Sequence, residues 1–429
     1  MPPRIRIGFL LVLTGLSLLP VSVVPAAWTG EPPAGVPIPL SSGAPLSLSE
    51  AEQLAVAASP ALRASAARIR REEAGLRQAG LLPNPDLALD ANWFTRGLAE
   101  RETILSLRQP IPAHGKRGLD KQEAAERIEM ERADAERARL DLLLRVRESF
   151  YRIGFLERIL EVLRQDLEAA QAVETAVESR VAEGDVPAFD GLRASVEVTR
   201  AENRKRQADG DLEAETAVFS LLLGRTGGGP LTVAAPDLPD QPVADLPALL
   251  ARALEKQPEI AAREHAARAA AIACDRARID HRPDVAVGPT LGVDQGDAIV
   301  GVGLSLRLPA WDRGQGRIQS AEAARDEATA DLEAVRLAVS SLLAEAYGRH
   351  HAAIARRRLY EEGLLKQADE LVDLTRKSYE GGASGILDLL DARRTALAVK
   401  EEYYRACLDG ALSAAQLRRA VGETAWAGP

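Results

Sequence analysis

A mainly helical fold, built twice from long antiparallel coiled-coil helices and pairs of membrane-length β-strands, is predicted by three observations. The chain repeats itself at an offset of about 198 residues: Ser59-Pro60-Ala61-Leu62 answers to Gln257-Pro258-Glu259-Ile260, and Asn84-Pro85-Asp86-Leu87 to Arg282-Pro283-Asp284-Val285. Gly184, Asp190, Leu192 and Ala194 likewise answer to Gly382, Asp388, Leu390 and Ala392, and Leu223-Gly224 to Val421-Gly422. Second, no proline lies between Pro112 and Pro187 or between Pro309 and Pro429. Third, two pairs of alternating segments precede those proline-free stretches. A period this long is not that of a solenoid of short units; it describes two copies of one helix–hairpin–helix–helix unit.

The first copy is assigned to residues 46–224 and the second to 246–422, joined by a linker over 225–245 and followed by a tail over 423–429. Ahead of them, Arg4 and Arg6 precede a mostly apolar run from Ile7 to Val24 and small residues at Pro25-Ala26. That is the pattern of a secretory signal peptide over 1–26, a membrane anchor being the other reading of a run of that length. A Pro-rich segment, 27–45, follows and suggests an extended outer strap. Loss of Arg4 and Arg6 with the signal takes the formal charge from −9 to −11. An acidic chain with 4% aromatics and no basic patch is a poor nucleic-acid binder. Cys274 and Cys407 match no metal-ligand spacing and read as buried helix cysteines, a disulfide being the alternative.

Gly118 to Ala182 reads as one continuous helix, with Ile128, Leu140, Leu144, Phe150, Ile153, Leu160, Leu163 and Leu167 at helical spacings. About 65 residues make a rod of roughly 95 Å, and such rods need coiled-coil partners along their length. The counterpart is expected from about Arg317 to Tyr379. Each rod ends in a short break, Glu183-Gly184-Asp185-Val186-Pro187 and Glu380-Gly381-Gly382-Ala383-Ser384-Gly385, where glycine suits a left-handed C-terminal turn. Return arms follow over 190–223 and 386–421, which places both hairpin tips at one end of the molecule.

The strands are expected at about 86–94, 102–109, 284–293 and 298–308. Leu87, Leu89, Ala91 and Trp93 alternate with Asp86, Ala88, Asp90 and Asn92, and the other three segments alternate in the same way. Segments of about ten residues with one apolar and one small or polar face have the length and period of barrel strands in a bilayer. An ordinary half-buried hairpin shows the same alternation, so the count carries the argument. Four strands cannot close a barrel, and an open sheet edge is forbidden in lipid. Several chains must therefore share one barrel by cyclic symmetry. Three would supply twelve strands around a lumen, with the helical rods continuing as a tube.

These residues resemble the TolC-like outer-membrane efflux proteins, from about Leu46 to Gly422. The resemblance is carried by Leu48-Ser49-Glu50-Ala51, Ser59-Pro60-Ala61-Leu62, Gln78-Ala79-Gly80-Leu81-Leu82-Pro83-Asn84-Pro85, Tyr379-Glu380-Gly381 and Leu387-Asp388-Leu389-Leu390-Asp391-Ala392, in that order and spacing. Two further stretches are similar to the CzcC-type heavy-metal efflux subgroup. They are Leu107-Arg108-Gln109-Pro110-Ile111-Pro112 with Gly115-Lys116-Arg117, and Leu308-Pro309-Ala310-Trp311-Asp312-Arg313-Gly314-Gln315-Gly316.

The resemblance implies a homotrimer with a 12-stranded β-barrel in the outer membrane on an α-helical periplasmic tunnel. It implies as partners a periplasmic adaptor, an inner-membrane pump of the RND type and outer-membrane lipid. It also implies passive conduction, with heavy-metal cations as a cargo. His114, His265, His281, His350 and His351 have no ligand-like spacing with the cysteines, so no metal site or cofactor is expected in the duct itself. Gly227-Gly228-Gly229-Pro230 lacks the lysine and hydroxyl of a phosphate loop, and no nucleophile is paired with a base. No enzyme is expected. Two other functions are compatible with parts of this pattern: a periplasmic coiled-coil scaffold outside the membrane, and the same channel serving type I protein secretion.

The candidate gate is Asp388 with Asp391, just past the second tip, which three-fold symmetry would turn into stacked carboxylate rings that favour cations. A helix N-terminus also favours acidic residues, which is the plainer role for the pair. In the first copy Asp190 matches Asp388, but Arg193 stands where Asp391 stands in the second, so the tips differ in charge. The candidate adaptor-docking residues are Gly184, Asp185, Val186 and Pro187 with Gly382, Ala383, Ser384 and Gly385, where turn geometry alone would also call for glycine.

Overall fold

The computed structural model describes residues 45–93, 101–225, 231–236, 244–294 and 297–423. The expected signal peptide, nearly all of the Pro-rich segment and part of the linker lie outside the described residues. In the first copy, α1 (Leu48–Ala58) and α2 (Pro60–Ala79) lead into β1 (Asp86–Trp93) and β2 (Arg101–Ile111). Next come α3 (Lys116–Glu183) and α4 (Ala188–Leu222). The second copy repeats the order as α5 (Leu246–Lys256), α6 (Pro258–Asp280), β3 (Val285–Asp294), β4 (Asp297–Leu306) and α7 (Gln315–Leu359). A π-helical turn over Tyr360–Leu364, then α8 (Leu365–Glu380) and α9 (Ile386–Val421), complete it.

The helix boundaries have local causes. Ser47 and Glu50 form a capping box at the start of α1, with Ser47 Oγ accepting from Glu50 N at 3.3 Å and Ser47 N donating to the Glu50 carboxylate at 3.0 Å. Pro60 and Pro258 open α2 and α6, because proline is tolerated only in a first turn and pushes the residue before it out of the helical region. At 68 residues, α3 is a rod of about 100 Å. Its counterpart is not the single rod the sequence suggested. The helix breaks at the π turn, where Leu365 N–H donates to Tyr360 O and Gly363 leaves helical geometry.

The strands lie within two residues of the expected bounds wherever they are described. They form one antiparallel sheet in the order β1-β2-β3-β4. The register places Leu89, Leu105, Leu291 and Val300 in one row across the sheet, and Ala88, Ser106, Thr290 and Gly301 in the adjacent row. Alternate rows therefore give one apolar face and one small or polar face. Leu87, Leu89, Val300, Val302 and Leu304 are strongly exposed on the apolar face.

The helices are four abreast as well. On the side near the sheet the packing runs α2–α3–α6–α7, and toward the tips it runs α4–α3–α9–α8. Among the described residues the buried side chains form several clusters rather than one globular core. Separate clusters line the helix seams: Leu249, Ile260, Val339, Leu343 and Leu417 join α5, α6, α7 and α9, and Leu160, Leu163, Ala208 and Leu397 join α3, α4 and α9. Cys274 and Cys407 are buried free thiols, so no disulfide links them. Among the described residues no helix is long and apolar enough to cross a membrane.

One buried histidine gives the helical wall an acid sensitivity. His350 on α7 is 2% exposed, and its Nδ1 lies 3.1 Å from Ser413 Oγ on α9. Burial lowers its pKa below 6.5, and the charges of His351, Arg418 and Arg357 lower it further, while the Gly410 carbonyl opposes them. A depressed histidine is neutral when folded and takes a proton on unfolding, so stability is lost as pH falls below 6.5. Thermal unfolding between pH 7.5 and 5.5 should show this loss, and His350→Gln should flatten it.

Candidate functional site

Both hairpin tips lie at one end, as the duplication required. A single cluster contains Val177 and the partly buried Val181 and Val186 of the first tip together with Ile386, Leu389, Leu390 and Tyr379 of the second. The turns are the same motif repeated. In the first, Asp185 N donates to Arg180 O at 2.9 Å and Gly184 N to Val181 O at 3.1 Å. In the second, Ala383 N donates to Ser378 O at 2.9 Å and Gly382 N to Tyr379 O at 3.0 Å. Gly184 at φ 82° and Gly382 at φ 72° occupy the left-handed position such helix ends require. Asp185, Pro187, Ala383 and Gly385 are exposed, whereas Val186 and Ser384 are partly buried. The hydroxyls of Tyr379 and Ser384 are buried with no partner among the described residues.

Asp388 and Asp391 are both exposed on the first two turns of α9, while Ile386, Leu389 and Leu390 point inward. Asp388 also does the plainer job, because its carboxylate accepts from Gly385 N at 3.2 Å. That bond caps the helix, where the dipole favours a negative charge. At the first tip the matching carboxylate is neutralised: Arg193 donates to Asp190 at 3.2 Å and lies 4.7 Å over the Phe189 ring. The charge difference between the tips, read first from Arg193 against Asp391, is thus a difference in ion pairing.

Behind the tips, α9 is fastened to the first-copy hairpin by charged bonds that sequence spacing could not reveal. Asp166 on α3 accepts from Arg204 on α4 at 2.8 Å and from Arg393 on α9 at 3.1 Å. Glu197 on α4, 6% exposed, accepts from Arg394 on α9. Burial by itself would raise the Glu197 pKa, but Arg394, Arg204 and Arg200 together hold it below the ordinary carboxylate value. Among the described residues no group of three His, Cys, Asp or Glu side chains is placed to hold a metal ion.

Comparison with known proteins fits this geometry. The cobalt-zinc-cadmium resistance protein CzcC of Cupriavidus metallidurans is 26% identical over 347 residues, covering 80% of this chain and 82% of CzcC. Protein CyaE of Bordetella pertussis is 29% identical over 396 residues, covering 86% of this chain and 81% of CyaE. Among solved structures, the outer membrane protein VceC of Vibrio cholerae shares the fold with a TM-score of 0.73 at 20% identity, over 88% of this chain and 96% of that one. Residues 52–225 and 249–423, one stretch in each copy, match the family described as outer membrane efflux protein. With most of its length matched in two successive copies, the chain belongs to the outer membrane efflux protein family.

Proposed function

We propose that three copies of this outer-membrane efflux channel close edge to edge into a twelve-stranded barrel continued by a helical tunnel. Through it, substrates pass without energy input from a periplasmic adaptor and inner-membrane pump to the exterior. The observation that carries the reading is the distribution of exposed apolar side chains. Apart from α1 on α3 and α5 on α7 and α9, the chain is a strip four elements wide near the sheet and toward the tips, edged by β1, α2 and α4 on one side and by β4, α7 and α8 on the other. The central helices α3 and α6 expose no large hydrophobic residue. Of the edge helices, α2 exposes none, but the other three expose several: Phe189, Leu192 and Val196 on α4, Leu337, Leu342 and Leu359 on α7, and Leu371 and Leu374 on α8. Two apolar edges on an otherwise polar strip call for a partner, and cyclic closure gives each edge the opposite edge of the next copy. The unpaired sides of β1 and β4 meet in the same step, which removes the open sheet edge from lipid.

The second tip supports an entrance with a cationic preference. Three copies of Asp388 and Asp391 would stand as carboxylate rings at the narrow end, whereas Asp190, at the matching position of the first tip, is paired with Arg193. The two turns, Gly184-Asp185-Val186-Pro187 and Gly382-Ala383-Ser384-Gly385, are the exposed ends offered to the adaptor. Heavy-metal cations are the proposed cargo, on similarity to a cobalt-zinc-cadmium resistance protein and on the sign of the rings.

Cysteine cross-linking tests the closure. Leu192→Cys on α4 combined with Leu374→Cys on α8 should give, on oxidation of detergent-solubilised protein, a ladder ending at three chains. A cross-link confined within one chain, or none in protein that is folded, would refute the edge-to-edge assembly.

A further inference from the structure

We infer that the half of each edge nearest the sheet is sealed by charge, the basic helix α2 of one copy lying antiparallel on the acidic start of α7 of the next. The inference rests on the edge-to-edge closure proposed above and says what keys it. Apolar contact does not explain this part of the edge, because neither α2 nor residues 315–334 of α7 expose a large hydrophobic side chain. What they expose is charge of opposite sign. Helix α2 carries five arginines against two glutamates, a net charge of +3, and residues 315–334 carry five carboxylates against two arginines, a net charge of −3.

Each helix arranges that charge as a stripe. Leu62, Ile69 and Leu76 form the partly buried side of α2, whereas Arg63, Ala67, Arg70, Ala74 and Arg77 are all exposed at alternating steps of four and three residues. On α7, Leu332, Val335 and Val339 pack into the seam with α5, α6 and α9. Gln319, Ala323, Asp326, Ala330 and Glu333 are exposed at the same alternating steps. Steps of four and three keep a stripe on one face of a helix. Among the described residues the side chains of Arg63, Arg70 and Arg77 have no hydrogen-bond or ion-pair partner, and neither do those of Glu327, Asp331 and Glu333. Asp326 accepts from Arg325 of its own helix at 2.8 Å through Oδ1 and has Oδ2 to offer.

The duplication supplies the register. Inside the chain α6 lies antiparallel on α3, with Arg276 on Asp120 at 2.7 Å, Arg268 on Glu126 at 2.9 Å and Arg137 on Glu259 at 3.8 Å. Helix α2 is the earlier copy of α6, at the offset of 198, and α7 is the later copy of α3, at the offset of 199 that relates Gly115 to Gly314. The same seam between successive copies of the chain therefore carries the level of Arg268 and Glu126 to Arg70 beside Arg325 and Asp326. Seven residues along each helix Arg63 meets Glu333, and seven the other way Arg77 meets Gln319. The alanines between them let the helices approach while the arginine stems lie along the facing helix. Opposite charge also fixes which edges meet. Two α2 edges repel, and so do two starts of α7, so like edges do not pair about a two-fold axis and the head-to-tail order that closes a ring is kept. The exposed hydrophobic residues of α4 and α8 cannot discriminate in this way.

Charge reversal in the full-length, detergent-extracted protein is the test, read as the yield of three-chain product from the Leu192→Cys and Leu374→Cys pair. Arg63→Glu with Arg70→Glu reverses α2, and Asp326→Arg with Glu333→Arg reverses α7. Either reversal alone should cut the three-chain yield about tenfold, because every joint then sets like charges against each other. Both reversals together should restore it to within about twofold of the parent, and about 1 M salt should rescue the single reversals by screening. A variant that has merely failed to fold recovers in neither case. Ala74→Cys with Ala323→Cys should also cross-link successive copies, whereas Ala74→Cys with Ala330→Cys, about 10 Å out of step, should not. Full yield in the single reversals, or no recovery in folded protein carrying both, refutes the charged seam while closure stands on its own ladder. A folded parent with no three-chain product refutes closure itself, and the seam with it.

Discussion

Gly288→Ala is expected to abolish barrel assembly, whereas Gly301→Ala should leave it intact. Both glycines lie within strands of the same sheet, on the small, polar face. They differ in what stands behind them. A Cβ on Gly288 would come within 1.7 Å of Leu107 O and 2.7 Å of Leu107 C, which are backbone atoms of the neighbouring strand. A Cβ on Gly301 would meet nothing within 4 Å. Backbone cannot move aside as a flexible side chain can, so the cost at Gly288 should exceed the about 1–3 kcal/mol usual for overpacking. Pro289 follows and brings no N–H to the ladder, so little local hydrogen bonding is available to offset it. Heat-modifiable migration of detergent-extracted protein reads the difference. Normal assembly of Gly288→Ala would show that β2 and β3 do not approach as closely as they do here.

Replacing Asp388→Ala together with Asp391→Ala should leave a pore of normal assembly that has lost most of its preference for cations. Three copies would lose six carboxylates from the narrow end, and carboxylate rings set charge selectivity in cation pathways. Asp388→Asn is the informative companion. It keeps a polar side chain near Gly385 N, so it should retain the cap while removing one ring. If Asp388→Asn and the double substitution unfold alike, capping is the whole role of Asp388. If reversal potentials in a salt gradient stay at the parent value in both, the gate lies elsewhere.

Much of this was legible in the sequence because the physics is periodic or punctual. Alternation over ten residues marked all four strands, since a pleated strand has no other way to present one apolar face. The tips were marked by Gly184 and Gly382, which a helix end in the left-handed region selects. The charge asymmetry between the tips was visible as Arg193 against Asp391, and became an ion pair of Asp190 in the structure. The π turn was not visible. One glycine inside a helical pattern is tolerated, and Gly363 disturbs neither the charge pattern nor the apolar spacing around it. The separation of α1 from α2 and of α5 from α6 is carried by Pro60 and Pro258, which in the sequence alone stand out as matching positions of the repeat. Bonds such as Arg393 to Asp166 join residues 227 positions apart and have no local signature at all. The apolar edges on α4 and α8 were hidden for a related reason. Phe189, Leu192 and Val196 look like core spacing until the neighbouring helices are known to leave them uncovered.

The most direct measurement is single-channel recording of the purified, detergent-extracted parent protein in planar bilayers. A shared barrel of three chains should insert as discrete steps of one uniform, cation-selective conductance. Protein that washes from membranes in carbonate, and gives no conductance steps when folded and added to the bilayer, would contradict a channel and leave a helical scaffold in its place.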